Sequence, residues 1–586
     1  EFSDRIHRYG TALMIQITHL GRRGEATAGN WLPTIAPSSV RETLHRSIPR
    51  EMDRNDIDRV VKAYGEAAKR CKEGGLDGLE TVAGGHLIGQ FFSRDTNHRT
   101  DEFGGSIQNR ARFALMVYEE MRRQVGDDFL MGIRLSLNEG DAALTFEEAL
   151  EIASILRDEG AVNFFNCNMG RMDTELALAE YNMPGMTRHL APFVDQVGLF
   201  KKEIGLPVFH AARITDVANA RRAVKEGLLD MVAMTRAHIA DPQIVAKIER
   251  GDEDRIRPCI GMSHCMHKKI HCVHNPATGR ETALPQVVEK SDQPGKKVII
   301  VGGGPAGLEA ARVAAERGHQ VTLYEAAAKL GGQLLIAAKA SWRNDLISLV
   351  DWRISELEHL GVDVRLNHFV EPSDLENSDV DVILIATGGV PRTLPFEGSE
   401  FCLSTWDLLN GDVQPASRIL VYDGTGRHEA ASTTDHLSRQ GAEVLYASID
   451  PNVGGELGYA ERPIYRKRFY QQGVVTLPDV KLSSVQKNGN LLTVELVNDL
   501  SGQITSHSVD QVVVEVGTVP NDELFKELKS RSSNRGITNI EDLLASRPQS
   551  LATGQQGPQL HLLGDAVSSR SLHAAILDAY RIAVAL

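Results

Sequence analysis

Three cysteines fall within fourteen residues, in the stretch CIGMSHCMHKKIHC at 259–272. Cys259, Cys265 and Cys272 are half of the six cysteines in the chain. Closely spaced thiolates let one loop wrap an inorganic iron–sulfur core. His264, His267 and His271 lie in the same stretch, so a Cys3His zinc set fits too. Three ordinary thiols are the plainest alternative. Met262 stands where a cysteine series would place a further thiol.

A second constellation is KVIIVGGGPAGLEAARVAAERGHQVTLYEA at 297–326. It reads as strand, glycine-rich turn, helix and strand. Gly302-x-Gly304-x-x-Gly307 supplies a tight turn, close approach to a pyrophosphate and helix–strand packing. Glu325 ends the second strand, where a carboxylate can accept from a ribose 2′-OH. DVILIATGG (381–389) ends in Thr387 and Gly388, and LHLLGDAV (560–567) carries Asp565. With the turn, these resemble the pattern of flavoprotein nucleotide domains, which sets Asp565 beside the ribityl chain or pyrophosphate of FAD. Gly332 and Gln333 are counted with this site. FAD and ADP satisfy the motif equally. A related turn, DGTGRHE at 423–429, keeps Gly424 and Gly426 but has Glu429 at the third glycine position. A carboxylate there competes with a phosphate for the helix N-terminus, so the second unit reads as degenerate toward NAD(P).

The elements that position these groups alternate. ALMIQITH (12–19), GLDGLETVA (75–83), FLMGIRLS (129–136), AVNFFNCN (161–168), GLPVFHA (205–211) and LDMVAMTR (229–236) are short apolar runs separated by amphipathic helical stretches. Six βα units in a row predict a parallel sheet. A (β/α)8 barrel needs eight, so the first two strands are expected to be missing. The predicted fold is α/β: an N-terminally incomplete TIM barrel (1–250), a Cys-cluster segment (251–286), and two nested Rossmann-like domains. The first of these is split between 287–400 and 541–586, and the second is inserted at 401–540.

Composition narrows the function classes. The chain has 586 residues and a formal charge of −14, which argues against a nucleic-acid partner. No apolar run reaches the ~18 residues of a membrane span, and EFSDRIHRYG is not a signal peptide. Cys71, Cys167 and Cys402 are too scattered for a disulfide framework, so a reducing cytoplasm is expected.

The barrel half also carries a family likeness. MIQITHLGRRG, the stretch at 74–113 and DMVAMTRAHIADP (230–242) resemble the Old Yellow Enzyme flavoproteins. The cysteine segment and tandem nucleotide domains narrow this to the branch of trimethylamine dehydrogenase and 2,4-dienoyl-CoA reductase. GHLIGQFFS, NMGRMDTELALAEYNMPGM, HAARI and HNPATGRE look most like dimethylglycine and N-methylproline demethylases. The resemblance implies FMN across the C-terminal mouth of the barrel. Gln16 would meet the flavin pyrimidine edge, and Arg134 would lie near N1. Ala212, Arg213, Thr235 and Arg236 would hold the phosphate. It further implies a [4Fe–4S] cluster at Cys259, Cys265 and Cys272, with one non-cysteine ligand.

His86 is expected to face the mouth, where it binds a substrate carboxylate or adjusts amine protonation. Arg171 is expected to take the carboxylate of a zwitterionic substrate, with Asp173 or Glu175 on its ammonium. The loop has no tryptophan, so the aromatic bowl that holds a trimethylammonium ion is not expected. The implied reaction is oxidative N-demethylation of a small N-methyl amino acid, with electrons passing to an external carrier protein or bound FAD. An NAD(P)H-dependent enoate reductase and a non-catalytic electron-transfer subunit are the alternatives. A homodimer is a family expectation.

Overall fold

A computed structural model describes residues 1–586 apart from 26, 28–30, 268, 376–378 and 551–555. The chain divides into two compact units, Glu1–Thr235 and Arg236–Leu586.

The first unit is built on six strands, β1 (Met14–Ile17), β2 (Gly78–Val82), β3 (Leu130–Ser136), β4 (Phe164–Asn168), β5 (Val208–His210) and β6 (Met231–Val232). They pair side by side in sequence order, every pair parallel. The six-strand expectation is met: β1 and β6 are the two edges, with Ile15 and Met231 exposed on them. Helices α1 (Arg54–Glu73), α2 (Leu87–Phe92), α3 (Ile107–Val125) and α4 (Phe146–Asp158) connect the strands. Helix starts are well marked. Asp53 with Asp56 and Thr145 with Glu148 form capping boxes, and Ser106 caps α3. Apolar faces of these helices, among them Val60, Phe113, Val117 and Ile152, join Leu79, Ile133 and Phe165 of the strands in one core. Gly132 leaves the space into which the Phe164 ring projects; a Cβ there would lie 2.1 Å from it.

In the second unit, β7 (Lys297–Val301), β8 (Gln320–Tyr324), β9 (Asp363–Arg365) and β10 (Val382–Ile385) join Gln559–Leu562 in a parallel sheet. The order is β9-β8-β7-β10 and then the late strand, so the sheet is completed from the far end of the sequence. Helices α5 (Pro305–Glu316), α6 (Ile347–His359) and α7 (Leu572–Val584) belong to the same unit. A second parallel sheet takes Cys402–Ser404, Gln511–Glu515, Arg418–Asp423, Glu443–Ser448 and Val475–Leu477 in that order, and a three-stranded antiparallel sheet spans 480–509. Between α5 and α6 lies a closed charge group. The Glu309 carboxylate accepts from Arg312 at 2.6 Å and from Arg353 at 2.8 Å, all three with at most 1% exposure. Burial alone would raise the Glu309 carboxyl; the two guanidinium ions outweigh it and bring it down to about 2. Among the described residues no helix is long and apolar enough to cross a membrane.

Candidate flavin and redox sites

Strand periodicity places polar side chains together on one face of the barrel sheet. Gln16 on β1 is level with Glu80 on β2, and Arg134 on β3 with Asn166 on β4. Gln16 Nε2 donates to Glu80 Oε1 at 2.5 Å, and Asn166 Nδ2 donates to the same carboxylate at 3.0 and 3.2 Å. Arg134 is near enough for Glu80 to hold up its pKa, yet burial wins and lowers it. Its Nε is buried without a hydrogen-bond partner. His210 donates from Nδ1 to the Cys167 carbonyl at 2.8 Å when neutral, and burial lowers it to about 4, which leaves a bare, buried Nε2. Beyond β5, Ala212 and Arg213 are both buried and both left-handed, with φ of 71° and 56°. Two consecutive non-glycine residues in that region cost on the order of 1–3 kcal/mol each and cluster where function demands them. Thr235 opens the helix Thr235–Ala240. The orphaned N–H of Arg134 fits the N1 edge of a flavin, and the strained, positively charged strand end at Ala212 and Arg213 fits its anionic phosphate ester.

His86 occupies the N-cap position of α2 with an extended backbone and no side-chain bond to the helix, and its Nδ1 meets the Thr18 hydroxyl at 2.7 Å. A histidine ordinarily titrates near neutrality, the range in which it could adjust amine protonation. Burial first, then the charges of Arg23, Arg134 and His45, lower it to about 4. Arg171 and Asp173 are brought together, but onto each other. Arg171 donates from Nε at 3.0 Å and Nη2 at 2.6 Å to Asp173, and from Nη2 to Asp95 at 2.5 Å. Asp173 also accepts from Arg22 at 2.8 Å, so it is neutralised from two sides, and these bonds leave Nη1 as the remaining donor of Arg171. Glu139 shares a small cavity with Arg22, Arg171 and Asp173, and burial raises its carboxyl to about 7. Neither Glu80 nor Glu139 is among the residues singled out from the sequence. Glu80 had a legible signal, a carboxylate inside an otherwise apolar strand. Glu139 had none, because its burial depends on the cavity walls.

In the second unit the glycine turn is built as its motif requires. A Cβ on Gly307 would meet the Gly302 carbonyl oxygen at 1.8 Å, so α5 can pack on β7 only without one. Gly304 is different. It has an ordinary φ of −75°, and a Cβ there would touch no protein atom within 4 Å. Nothing in the chain requires glycine at this point, so the open space fits a ligand's pyrophosphate. Gly332, with φ of 53°, approaches the Gly304 backbone, and Gln333 begins the short helix beside it. Glu325 accepts from the Gly303 N–H at 2.6 Å and the Ala327 N–H at 2.7 Å. Thr387 donates to the Asn521 carbonyl at 2.5 Å, and Gly388 accepts from the Asn521 N–H at 2.9 Å. Asp565 accepts from Thr518 and from the Arg570 N–H, both at 3.3 Å, and burial raises it.

The turn at 423–429 is occupied by the chain itself. Asp423 accepts from the Thr425 and Gly426 N–H groups at 2.9 Å each. Asp450 stands where a Cβ on Gly426 would be, 2.4 Å away. Glu429 lies in the first turn of the helix His428–Arg439, as expected, and Asp423 in addition holds the two turn N–H groups that precede that helix. Glu429 also helps burial raise Glu515 to about 7.

Cys259, Cys265 and Cys272 are all partly exposed free thiols of the second unit. Burial raises Cys265 and Cys272, the latter to about 11, and the neighbouring thiols add to both shifts. Arg236 works in the opposite sense on Cys265. The His274 N–H donates to Cys272 Sγ at 3.4 Å. Ser263, with φ of 56°, precedes the short helix that carries His264 and Cys265. Three soft sulfur donors close together on one segment, with a backbone donor on one, fit a cationic cluster.

Residues 1–255 match the NADH:flavin oxidoreductase / NADH oxidase family, and 296–574 match the pyridine nucleotide-disulphide oxidoreductase family. The chain is 49% identical to the "Multifunctional alkene reductase/demethylase OYE" of Caballeronia cordobensis, covering 100% of this chain and 87% of that one. It is 41% identical to the "Probable N-methylproline demethylase" of Rhizobium meliloti, covering 99% and 87%. It is 39% identical to the "N,N-dimethylglycine/sarcosine dehydrogenase" of Chromohalobacter salexigens, covering 99% and 86%. With its barrel strands, its glycine turn and this similarity along its whole length, the chain belongs to the Old Yellow Enzyme-type flavoproteins of the trimethylamine dehydrogenase and 2,4-dienoyl-CoA reductase branch, and is an FMN-dependent oxidoreductase.

Proposed function

We propose that the chain catalyses oxidative N-demethylation of a small N-methylated amino acid of the dimethylglycine or N-methylproline type. The observation that carries this is the similarity, over essentially the whole chain, to two proteins named for those substrates. Gln16, Arg134, Ala212, Arg213 and Thr235 would hold FMN, which when bound supplies the acceptor for the hydride of the N-methyl C–H bond. The substrate iminium ion then adds water and splits into formaldehyde and the demethylated amine. The chain's own task is to present an unprotonated nitrogen, since only a lone pair can form the C=N bond. A His86 that is uncharged near neutral pH puts no further positive charge beside the amine. Arg171, through Nη1, would orient the substrate carboxylate, with Asp173 fixing the guanidinium from behind. Cys259, Cys265 and Cys272 would hold an iron–sulfur centre, with one ligand other than cysteine, which supplies one-electron carriage. FAD or ADP would occupy the turn at Gly302, Gly304 and Gly307, with Glu325, Gly332, Gln333, Thr387, Gly388 and Asp565 around it. An electron-carrier protein would complete the turnover.

A second reading, NAD(P)H-dependent reduction of an activated alkene, is favoured by the alkene reductase in the name of the 49% relative. Asp423 on the N–H groups of the second glycine turn weighs against a nicotinamide dinucleotide bound there. The deciding experiment is anaerobic mixing of flavin-loaded protein with N-methylproline and with dimethylglycine. Flavin bleaching with stoichiometric formaldehyde is expected from one of them. Bleaching by NADPH alone, with none by either amine, would sink the demethylase reading.

A further inference from the structure

The Cys segment contains a second set of donors that the iron–sulfur reading does not use. His264 and His271 lie on it, each next to a cysteine, and His573 reaches them from the first turn of α7. One ring nitrogen from each of these three lies within 4.8 Å of the other two. The rings themselves are packed: His573 is 5.1 Å from His264 and 5.4 Å from His271 between centroids, stacked nearly parallel to the latter at 9°. We propose that His264, His271 and His573 form a site for a single divalent transition-metal ion, separate from the three thiols.

Three observations argue for it. His573 is only 7% exposed, and its Nε2 is buried with no hydrogen-bond partner. A buried polar atom of this kind costs free energy unless something completes it. Its other nitrogen, Nδ1, meets the Cys272 carbonyl at 3.0 Å. A carbonyl can only accept, so Nδ1 carries the proton and Nε2 presents its lone pair. That is the arrangement that metal-binding imidazoles show, with the second nitrogen fixed by a backbone carbonyl. Finally, three rings crowd together with no carboxylate in the set. Three imidazoles packed in this way, one of them with a buried and unpartnered nitrogen, are a donor set for a cation.

The donors specify the ion. Imidazole nitrogens suit Zn2+, Cu2+, Ni2+ and Fe2+ and not Mg2+ or Ca2+. An ion about 2.0–2.1 Å from each nitrogen would draw the three closer and leave a fourth position for water or a small anion. It would tie positions 264 and 271 to position 573, across some three hundred residues of chain, and so help to hold the cysteine segment in place.

The test uses full-length, flavin-loaded protein treated with chelator and titrated with Co2+ as a spectroscopic probe. One Co2+ per chain is expected, with d–d bands and no thiolate-to-metal charge-transfer band. His573→Gln and His264→Gln should each weaken Co2+ binding more than about a hundredfold, beyond the loss seen for outer-shell partners. Cys272→Ser should leave Co2+ binding unchanged. Melting curves check folding, and His271→Gln, on the most accessible ring, decides the matter if His573→Gln does not fold. Absence of Co2+ binding overturns the proposal. So does a charge-transfer band that survives His573→Gln and disappears in Cys272→Ser, because the ion would then sit on the thiols. Iron and sulfide content, measured in parallel, reports on the cysteine cluster independently.

Discussion

At the scale of single residues, burial sets which charges the barrel mouth can use. His86 was attractive in the sequence because a histidine ordinarily titrates near neutrality, but its surroundings bring it to about 4. It is therefore a weak base for an amine. His86→Gln is expected to lower kcat/KM by less than about a hundredfold, where loss of a true general base would cost ~10²–10⁴, and to leave the pH profile where it was. A profile displaced by the substitution would mean that His86 titrates in turnover. Arg171 is the opposite case, a fixed cation whose Nη1 remains for substrate. Loss of a charge-assisted hydrogen bond costs about 1.5–3 kcal/mol. Arg171→Ala should thus raise KM at least about tenfold in a formaldehyde assay, and an unchanged KM would remove it from the substrate site. Glu139 gives a stability signature. Its folded pKa of about 7 is above the usual 4.5, so between those values the folded chain keeps a proton the unfolded chain has lost. Stability contributed there falls as pH rises through that window. Glu139→Gln should flatten thermal stability against pH between about 4.5 and 7.

At the scale of elements, two glycines of one turn carry different burdens. Gly307 is demanded by the chain, since a Cβ would lie 1.8 Å from the Gly302 oxygen of the strand end on which α5 packs. Gly304 is demanded by nothing in the chain. Gly307→Ala is expected to cost about 1–3 kcal/mol by overpacking, whereas Gly304→Val should melt like the nucleotide-free parent and purify without bound FAD or ADP. Adenine-nucleotide content together with melting curves separates the two, and a Gly304→Val protein that retains its nucleotide would refute the pyrophosphate assignment. The pair α5 and α6 depends on the Glu309, Arg312 and Arg353 group. Removing one partner of a buried ion group costs about 3–5 kcal/mol, so Arg353→Ala should show that loss in denaturant unfolding. The stabilisation from Glu309 is present above about 4.5 and is lost as pH falls toward 2, because its folded pKa is depressed.

At the scale of the whole molecule, two compact units predict two cooperative transitions. A ligand stabilises what it binds, by about 2.7 kcal/mol at a hundredfold excess over Kd. Added FMN should raise the transition of the barrel unit and leave the other in place; calorimetry in which FMN moves both equally would show that they unfold as one. The sequence by itself determined the six barrel strands, their parallel pairing and the glycine turn, because each rests on local rules: short apolar runs alternating with amphipathic helical stretches, and a backbone that tolerates no Cβ. It also carried the family, through motifs such as HAARI and CIGMSHCMHKKIHC. Only the tertiary structure decided that Glu80 gathers Gln16 and Asn166, that Arg171 and Asp173 spend their charges largely on each other, that Asp423 fills its own turn, and that His573 joins His264 and His271. Those outcomes depend on desolvation and on neighbours up to three hundred residues away, and neither quantity is written in the spacing of residues along a chain.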